Sequence, residues 1–255
     1  MAGGVFMELQ DKPGSKEIRR RAWEALAAGA YWPFVGGNLV TGLVSGFAML
    51  VPMMMVVVGI GVALVVTGCF LERAPDWSNG GLPALLAVAA VGSVLLTIPW
   101  TYVIGFSAWS GHKMALASAD RNFSFNLCVS GWGHGWRMAW TVMVKWTYVT
   151  LWYLLLIVPG IVKTFSYAMT PYVQIDHPDW GANRCIEESI RLMRGNRWRY
   201  FKLMFSFVGW WLLIALTALF GGGVAAVFFV PYPMTASACF YRELLKEKGP
   251  SAAKL

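Results

Sequence analysis

Charge is scarce in this chain: 13% of its 255 residues are Asp, Glu, Lys or Arg, against roughly 25% in ordinary soluble domains. With 57% hydrophobic residues and a mean hydropathy of +0.54, it has too few polar groups to cover a sphere of its size in water. Acid is scarcer still. The runs Pro33 to Leu71, Leu82 to Trp109, Met138 to Ile175, Leu203 to Phe220 and Val224 to Phe240 contain no Asp or Glu, and Lys145 and Lys163 are their only charged residues. Proton- and sodium-coupled carriers hold their ion on an intramembrane acid or a cage of carbonyls. The first is absent from these runs, and the second has one opening, the Pro159 and Gly160 break. Pro159, Pro171 and Pro231 equally read as ordinary helix ends and kinks.

Cysteine is sparse and unclustered. Cys69, Cys128, Cys185 and Cys239 show no CxxC spacing, so neither a metal knuckle nor a disulfide framework is expected. No HExxH, Walker loop or GxGxxG following a strand is found. GFSAWSG lacks the spacing of a nucleophile elbow, and His134 in GWGHGWR has no acid within a helical turn to orient its ring. His112, His134 and His177 leave open a dyad across loops. Asp176 and Asp179 around His177 suggest either a metal cluster or a capping turn. The reading is a non-enzyme without cofactor or metal.

What is present is long apolar sequence. Pro33 to Leu71 runs almost forty residues without charge, and a bilayer core about 30 Å thick is crossed by roughly 20 apolar residues in a helix. Lysine and arginine sit in clusters between such runs, giving a net charge of +8. Two crossings within Met138 to Ile175 put the N-terminus, Arg121, the stretch from Arg184 to Lys202 and the tail on one side; one crossing would export the densest arginine cluster. The expected fold is therefore all-α, a polytopic transmembrane helical bundle of about six spans with amphipathic interfacial helices and both termini cytoplasmic. Residues 1–32 form a basic amphipathic segment, 33–241 the membrane domain, and 242–255 a basic tail.

The N-terminus lacks a secretory leader's apolar core and cleavage site. Ser15 is placed to cap a helix with Ile18, Ala22, Leu26 and Trp23 on one side, suited to a membrane surface or serving only as a basic flank. A second amphipathic helix is predicted near 182–195, where Ala182, Cys185, Ile186, Ser189, Ile190 and Met193 share a face. Arg184–Glu188 and Glu187–Arg191 are its i,i+4 pairs, and Gly195 ends it. It lies on anionic headgroups through Arg191, Arg194, Arg197 and Arg199, beside Trp198 and Tyr200, or it packs on the bundle and leaves those charges to solvent. Lys163 reads as snorkelling to the outer headgroups. Lys145, about two turns inside Arg137, either reaches the inner interface beside Trp146 and Tyr148 or holds a lipid phosphate or anionic solute. Gly36, Gly37, Gly42 and Gly46 favour close helix contact, within one copy or between two. Trp32, Trp100, Trp140, Trp198 and Tyr241 at run ends read as interface anchors.

From Leu156 onward the text carries PGI-K-SY-MTPY around Pro159, Lys163, Tyr167 and Pro171. SxxLMxGNxW follows from Ser189 to Trp198, then FxxxxSFxGWW to Trp211, and YP through FYREL. This resembles a bacterial integral membrane family known as a domain of unknown function, number nine-seven-five in its series; EIRRRAWEALAAGAYW is similar to its opening helix. The resemblance implies a bacterial inner-membrane location and a helical fold, without a reaction. The functional expectation is a non-catalytic protein that organises membrane lipids, chiefly anionic headgroups, or a membrane protein partner or second copy. A transporter or channel for an anionic or amphipathic solute is the alternative, with a membrane-embedded enzyme behind it. No nucleic-acid partner is expected, since the basic clusters adjoin apolar runs.

Overall fold

The computed structural model describes residues 13–45, 54, 81–221 and 224–249, with backbone alone at 81–99, 157–158, 214, 217–221 and 224–226. The described residues are helical throughout, with no strand. Helix α1 is Ser15–Ala25, followed by a π-helical turn Leu26–Ala30. Helix α2 covers 31–45 and α3 is Gly81–Ala119. A 3-10 turn, Phe125–Val129, leads to α4 (Gly135–Leu155), α5 (Ile157–Ser166) and α6 (Thr170–Asp176). Then come α7 (Ala182–Met193), α8 (Arg197–Phe205), α9 (Val208–Gly221), α10 (Val224–Phe229) and α11 (Pro231–Lys248).

The three-to-four-residue spacing of Ile18, Ala22, Ala25 and Leu26 makes α1 amphipathic, and all four are buried. Their face packs on the protein itself, against α11 and α8. Trp23 does not share it: the side chain is 56% exposed. Ser15 is the first helical residue rather than the cap, which is Gly14 with no side-chain bond. Gly29, at φ 111°, lets the chain bend inside the π-turn.

Helix α11 is the centre of the assembly. Pro231 starts it where no N–H is needed, and its Ala236, Ala238, Phe240, Tyr241 and Leu244 are buried against α1, α3 and α7. Helices α3 and α4 cross closely because Gly105 and Gly135 face each other. A Cβ on Gly105 would overlap the Gly135 carbonyl oxygen and come within 2.6 Å of Ala139 N. Gly131 also lies close on Phe106, and of the glycines expected to favour close contact Gly37 packs on Met114 and Cys128, whereas a Cβ on Gly42 meets nothing within 4 Å among the described residues and Gly46 lies outside them.

The apolar runs do not map one to one onto helices. Met138 to Ile175 divides at extended Leu156 and again between Ser166 and Thr170, leaving α5 and α6 only 10 and 7 residues long. Leu203 to Phe220 divides at Ser206 and Phe207, and Val224 to Phe240 divides at Val230. Most of Pro33 to Leu71 lies outside the described residues. Among the described residues no helix is long and apolar enough to cross a membrane, so six single-helix spans are not seen. Helix α3 has the length, 39 residues, but from Trp100, where its side chains are described, it carries Ser107, Ser110, His112 and Lys113.

Candidate functional site on the last helix

The final turns of α11 collect polar partners from across the chain. Phe240, Tyr241 and Leu244 point inward, which turns Arg242, Glu243, Lys246 and Glu247 toward neighbouring helix ends. Arg242 Nε and Nη2 donate to the two Asp120 oxygens at 3.0 and 2.7 Å, and Nη1 donates to Asp176 Oδ2 at 2.8 Å. One guanidinium thus joins the ends of α3, α6 and α11. Burial opposes its charge, yet the hydrogen bonds to Asp120 and the Asp176 carboxylate outweigh that and raise its pKa. The Tyr241 hydroxyl also donates to Asp176 Oδ2, at 2.9 Å. Burial and the adjacent Asp176 charge push its pKa well above the ordinary tyrosine value.

Flanking pairs extend the hub. Glu243 accepts from Arg21 of α1 at 3.2 Å, and Arg21 also donates to Glu17. Hydrogen bonds from Arg20 and Arg21 hold the Glu17 carboxyl down to about 2. Glu247 accepts from Arg199 at 2.6 Å and from the buried Asn196 amide at 3.2 Å. Lys248 Nζ donates to the carbonyls of Arg191 and Arg194 at 2.8 and 2.6 Å, a cation on the C-terminal end of α7. Between α1, α11 and the end of α3 lies a cleft of about 480 Å³, lined by Arg21, Asp120, Arg121, Arg242, Glu243 and Lys246 among others. Such an arrangement fastens helices together and presents fixed cations.

Residues 122–248 match the model of a family described as protein of unknown function, DUF975. The C-terminal half of the chain belongs to DUF975. No curated protein and no solved structure matches the chain. The DUF975 segment runs from just beyond Asp120 and Arg121 to Lys248. It contains the whole of α11, while Arg21 and Asp120 come from outside it.

Within the DUF975 segment, the four arginines expected to share one surface are dispersed. Arg191 is held by Glu188 at 2.6 and 2.8 Å, which replaces the expected pairs with Glu187 and Arg184. Arg184 instead lies over the Trp180 ring, 4.1 Å from its centre. Arg199 is committed to Glu247 and Asn196. Arg197 Nε is buried without a partner, and Arg194 is exposed. Helix α7 packs on the bundle through Ala182, Cys185, Ile186, Ser189 and Met193, as its spacing predicts, with Ile190 half-buried. Burial pushes its Cys185 thiol up to about 11. Gly195, at φ 84°, turns the chain out of it. Tyr200 is buried, so Trp198 alone of that pair faces outward.

Lys163 Nζ sits 4.5 Å from the centre of the Trp152 ring, and Lys145 Nζ 5.8 Å from that of Trp146. Neither lysine reaches the α11 cleft. Pro159 and Pro171 lie in the first turns of α5 and α6, and Gly160 N bonds the Leu156 carbonyl at 3.2 Å. These residues therefore lie in the opening turns of helices, just past the break at Leu156, and Gly160 leaves room for the Tyr153 ring. Each histidine has its own neighbour: His112 Nδ1 meets the Ala108 carbonyl, His134 stacks on Trp109 and His177 stacks on Trp180. No metal-holding cluster occurs among the described residues. Asp120 was not singled out from the sequence, and Asp176, read there as part of a metal cluster or a capping turn, instead accepts from Tyr241 and Arg242; the available signal was Arg242, a cation in the apolar-flanked FYREL.

Proposed function

We propose that this chain is a non-catalytic integral protein of the bacterial inner membrane whose basic hub on α11, on the cytoplasmic side, organises lipids or a partner protein. The observation that carries the reading is the exposure of large apolar side chains on two helices. Trp132, Trp136, Trp140 and Met143 form an exposed stripe leading along α4, and Leu151, Leu154 and Leu155 continue the exposure at its far end. Trp210, Trp211, Leu212 and Leu216 are likewise exposed on α9. Polar side chains such as Thr141, Ser166, Thr170, Gln174, Ser189, Thr235 and Ser237 are buried beside an apolar core. Removing one such large side chain from water is favourable by about 1.5–3 kcal/mol, so water is a poor solvent for this surface and lipid a good one. The charge-free sequence from Leu82 to Trp109, which opens the 39-residue α3, supports the same reading.

The test is fractionation of cells expressing the full chain, with carbonate extraction, followed by labelling of Arg194→Cys with a membrane-impermeant maleimide. Retention in the extracted membrane and labelling only after the cells are opened are expected. Extraction into the soluble fraction, or labelling of intact cells, overturns the reading.

A further inference from the structure

The α11 cleft has a charge balance and a backbone feature that helix fastening leaves unused. Its walls carry four cations, Arg21, Arg121, Arg242 and Lys246, and two acids, Asp120 and Glu243. Both acids are engaged, Asp120 by Arg242 and Glu243 by Arg21. Lys246 is 72% exposed and stands 3.9 Å from Glu243, at the outer limit of an ion pair. Arg121 is exposed and forms no ion pair among the described residues. Arg21 and Arg242 are further neutralised by Glu17 and Asp176 beyond the walls, which leaves Arg121 and Lys246 as the cations without a close partner at the rim of a 480 Å³ cleft.

Arg121 also occupies a position that suits glycine. Helix α3 ends with Asn122 N bonded to the Ala117 carbonyl at 2.8 Å and Arg121 N to the Ser118 carbonyl at 3.1 Å. That is a Schellman close with Arg121 at its left-handed residue, φ 55°. Glycine takes this conformation freely, whereas a side chain there is strained. Strain of this kind points to work done by the side chain. The two bonds satisfy the Ala117 and Ser118 carbonyls through main-chain donors alone, so the guanidinium plays no part in closing the turn.

We propose that this cleft binds a phosphomonoester, gripped by Arg121 and Lys246 with Arg21 behind them and the Arg242–Asp120 pair as a fixed floor. A phosphomonoester carries about −1.5 to −2 at neutral pH, which Arg121 and Lys246 are free to meet, and its three oxygens accept from a guanidinium fork and an ammonium together. The proposal deepens the lipid-organising reading by naming its ligand chemistry, but the cleft does not depend on the chain's being in a bilayer.

The experiment is calorimetric titration of the purified full chain, in uncharged detergent, with glycerol phosphate and separately with a short-chain phosphatidic acid. Binding of the lipid alone assigns the cleft to a headgroup, and equal binding of both assigns it to a soluble phosphate ester. Arg121→Gly is expected to weaken binding about tenfold, the value of one charge-assisted contact, with a melting temperature no lower than the parent's. Lys246→Gln is expected to weaken it similarly. Arg137→Gln, which removes the same charge beside exposed Asp179 away from the cleft, is expected to bind as the parent does. The proposal is overturned if neither ligand binds, if Arg121→Gly binds like the parent, or if Arg137→Gln loses as much. Failure of membrane fractionation would sink the bilayer reading and leave these titrations standing.

Discussion

Arg242 and Asp120 lie 122 positions apart in the chain and meet through two hydrogen bonds, at 3.0 and 2.7 Å. The fork geometry needs a guanidinium, because an ammonium is a point charge that cannot span both carboxylate oxygens. With the third bond to Asp176, the pair makes α11 a clasp on the ends of α3 and α6. The C-terminal half alone cannot complete it.

Replacing Arg242 by Met therefore leaves two carboxylates without their cation. The Asp120 side chain is 41% exposed and recovers much of its hydration; Asp176, at 24%, recovers less. After discounting for that exposure, the expected loss is about 1–3 kcal/mol, read as an earlier midpoint in chemical unfolding. Arg242→Lys is expected to fall between the two, keeping the charge and losing the fork. A midpoint equal to the parent's for Arg242→Met would remove the clasp from the account.

Tyr241 sets an alkaline limit on the same clasp. Its folded pKa is raised by burial and by Asp176, so above the ordinary value of 10.0 the unfolded chain releases this proton while the folded chain keeps it. The stabilisation is full below pH 10.0 and declines as pH rises further. Melting temperature is expected to fall above that pH in the parent and to fall less steeply in Tyr241→Phe. The variant is also expected to start lower at neutral pH, by about 1 kcal/mol for the lost hydrogen bond to Asp176.

Gly105→Ala tests the α3–α4 crossing. The added methyl meets main-chain atoms of Gly135 and Ala139, which cannot swing aside as a side chain would, so the helices must separate. A loss of about 1–3 kcal/mol is expected, against little change for Gly42→Ala, where the methyl meets nothing within 4 Å. Thermal unfolding of both variants in the same detergent makes the comparison direct.

Local periodicity accounts for what the text of the chain revealed and what it hid. Helix α7 was legible because Ala182, Cys185, Ile186, Ser189 and Met193 lie one turn apart, and Gly195 was legible as its stop. The breaks at Leu156, Ser206 and Val230 were not, because an apolar run reads alike whether one helix or two pass through it. Arg191, Arg194, Arg197 and Arg199 looked like one surface in sequence, but 3.6 residues per turn and a helix boundary at Asn196 send them in different directions. The Arg242 site was hidden for a third reason. Its acids, Asp120 and Asp176, sit at the ends of two different helices, and only the packing of α3 and α6 with α11 brings them together.

Gln174 offers the most stringent test of the polar interior. It is 1% exposed, its Oε1 accepts from Thr141 Oγ1 at 2.7 Å and from Cys185 Sγ at 3.3 Å, and its Nε2 reaches the carbonyls of Pro178 and Trp180 at 3.4 and 3.3 Å. Gln174→Leu strands the Thr141 hydroxyl in a dry interior and is expected to cost about 1–3 kcal/mol. Thr141→Val alone leaves the amide oxygen with the weak Cys185 thiol donor. In the double variant neither partner remains to be stranded, so its loss is expected to be smaller than the two single losses added together, by about 1 kcal/mol. Strict additivity in a double-mutant cycle of unfolding free energies would mean that these two groups do not depend on each other, and that water reaches this part of the fold.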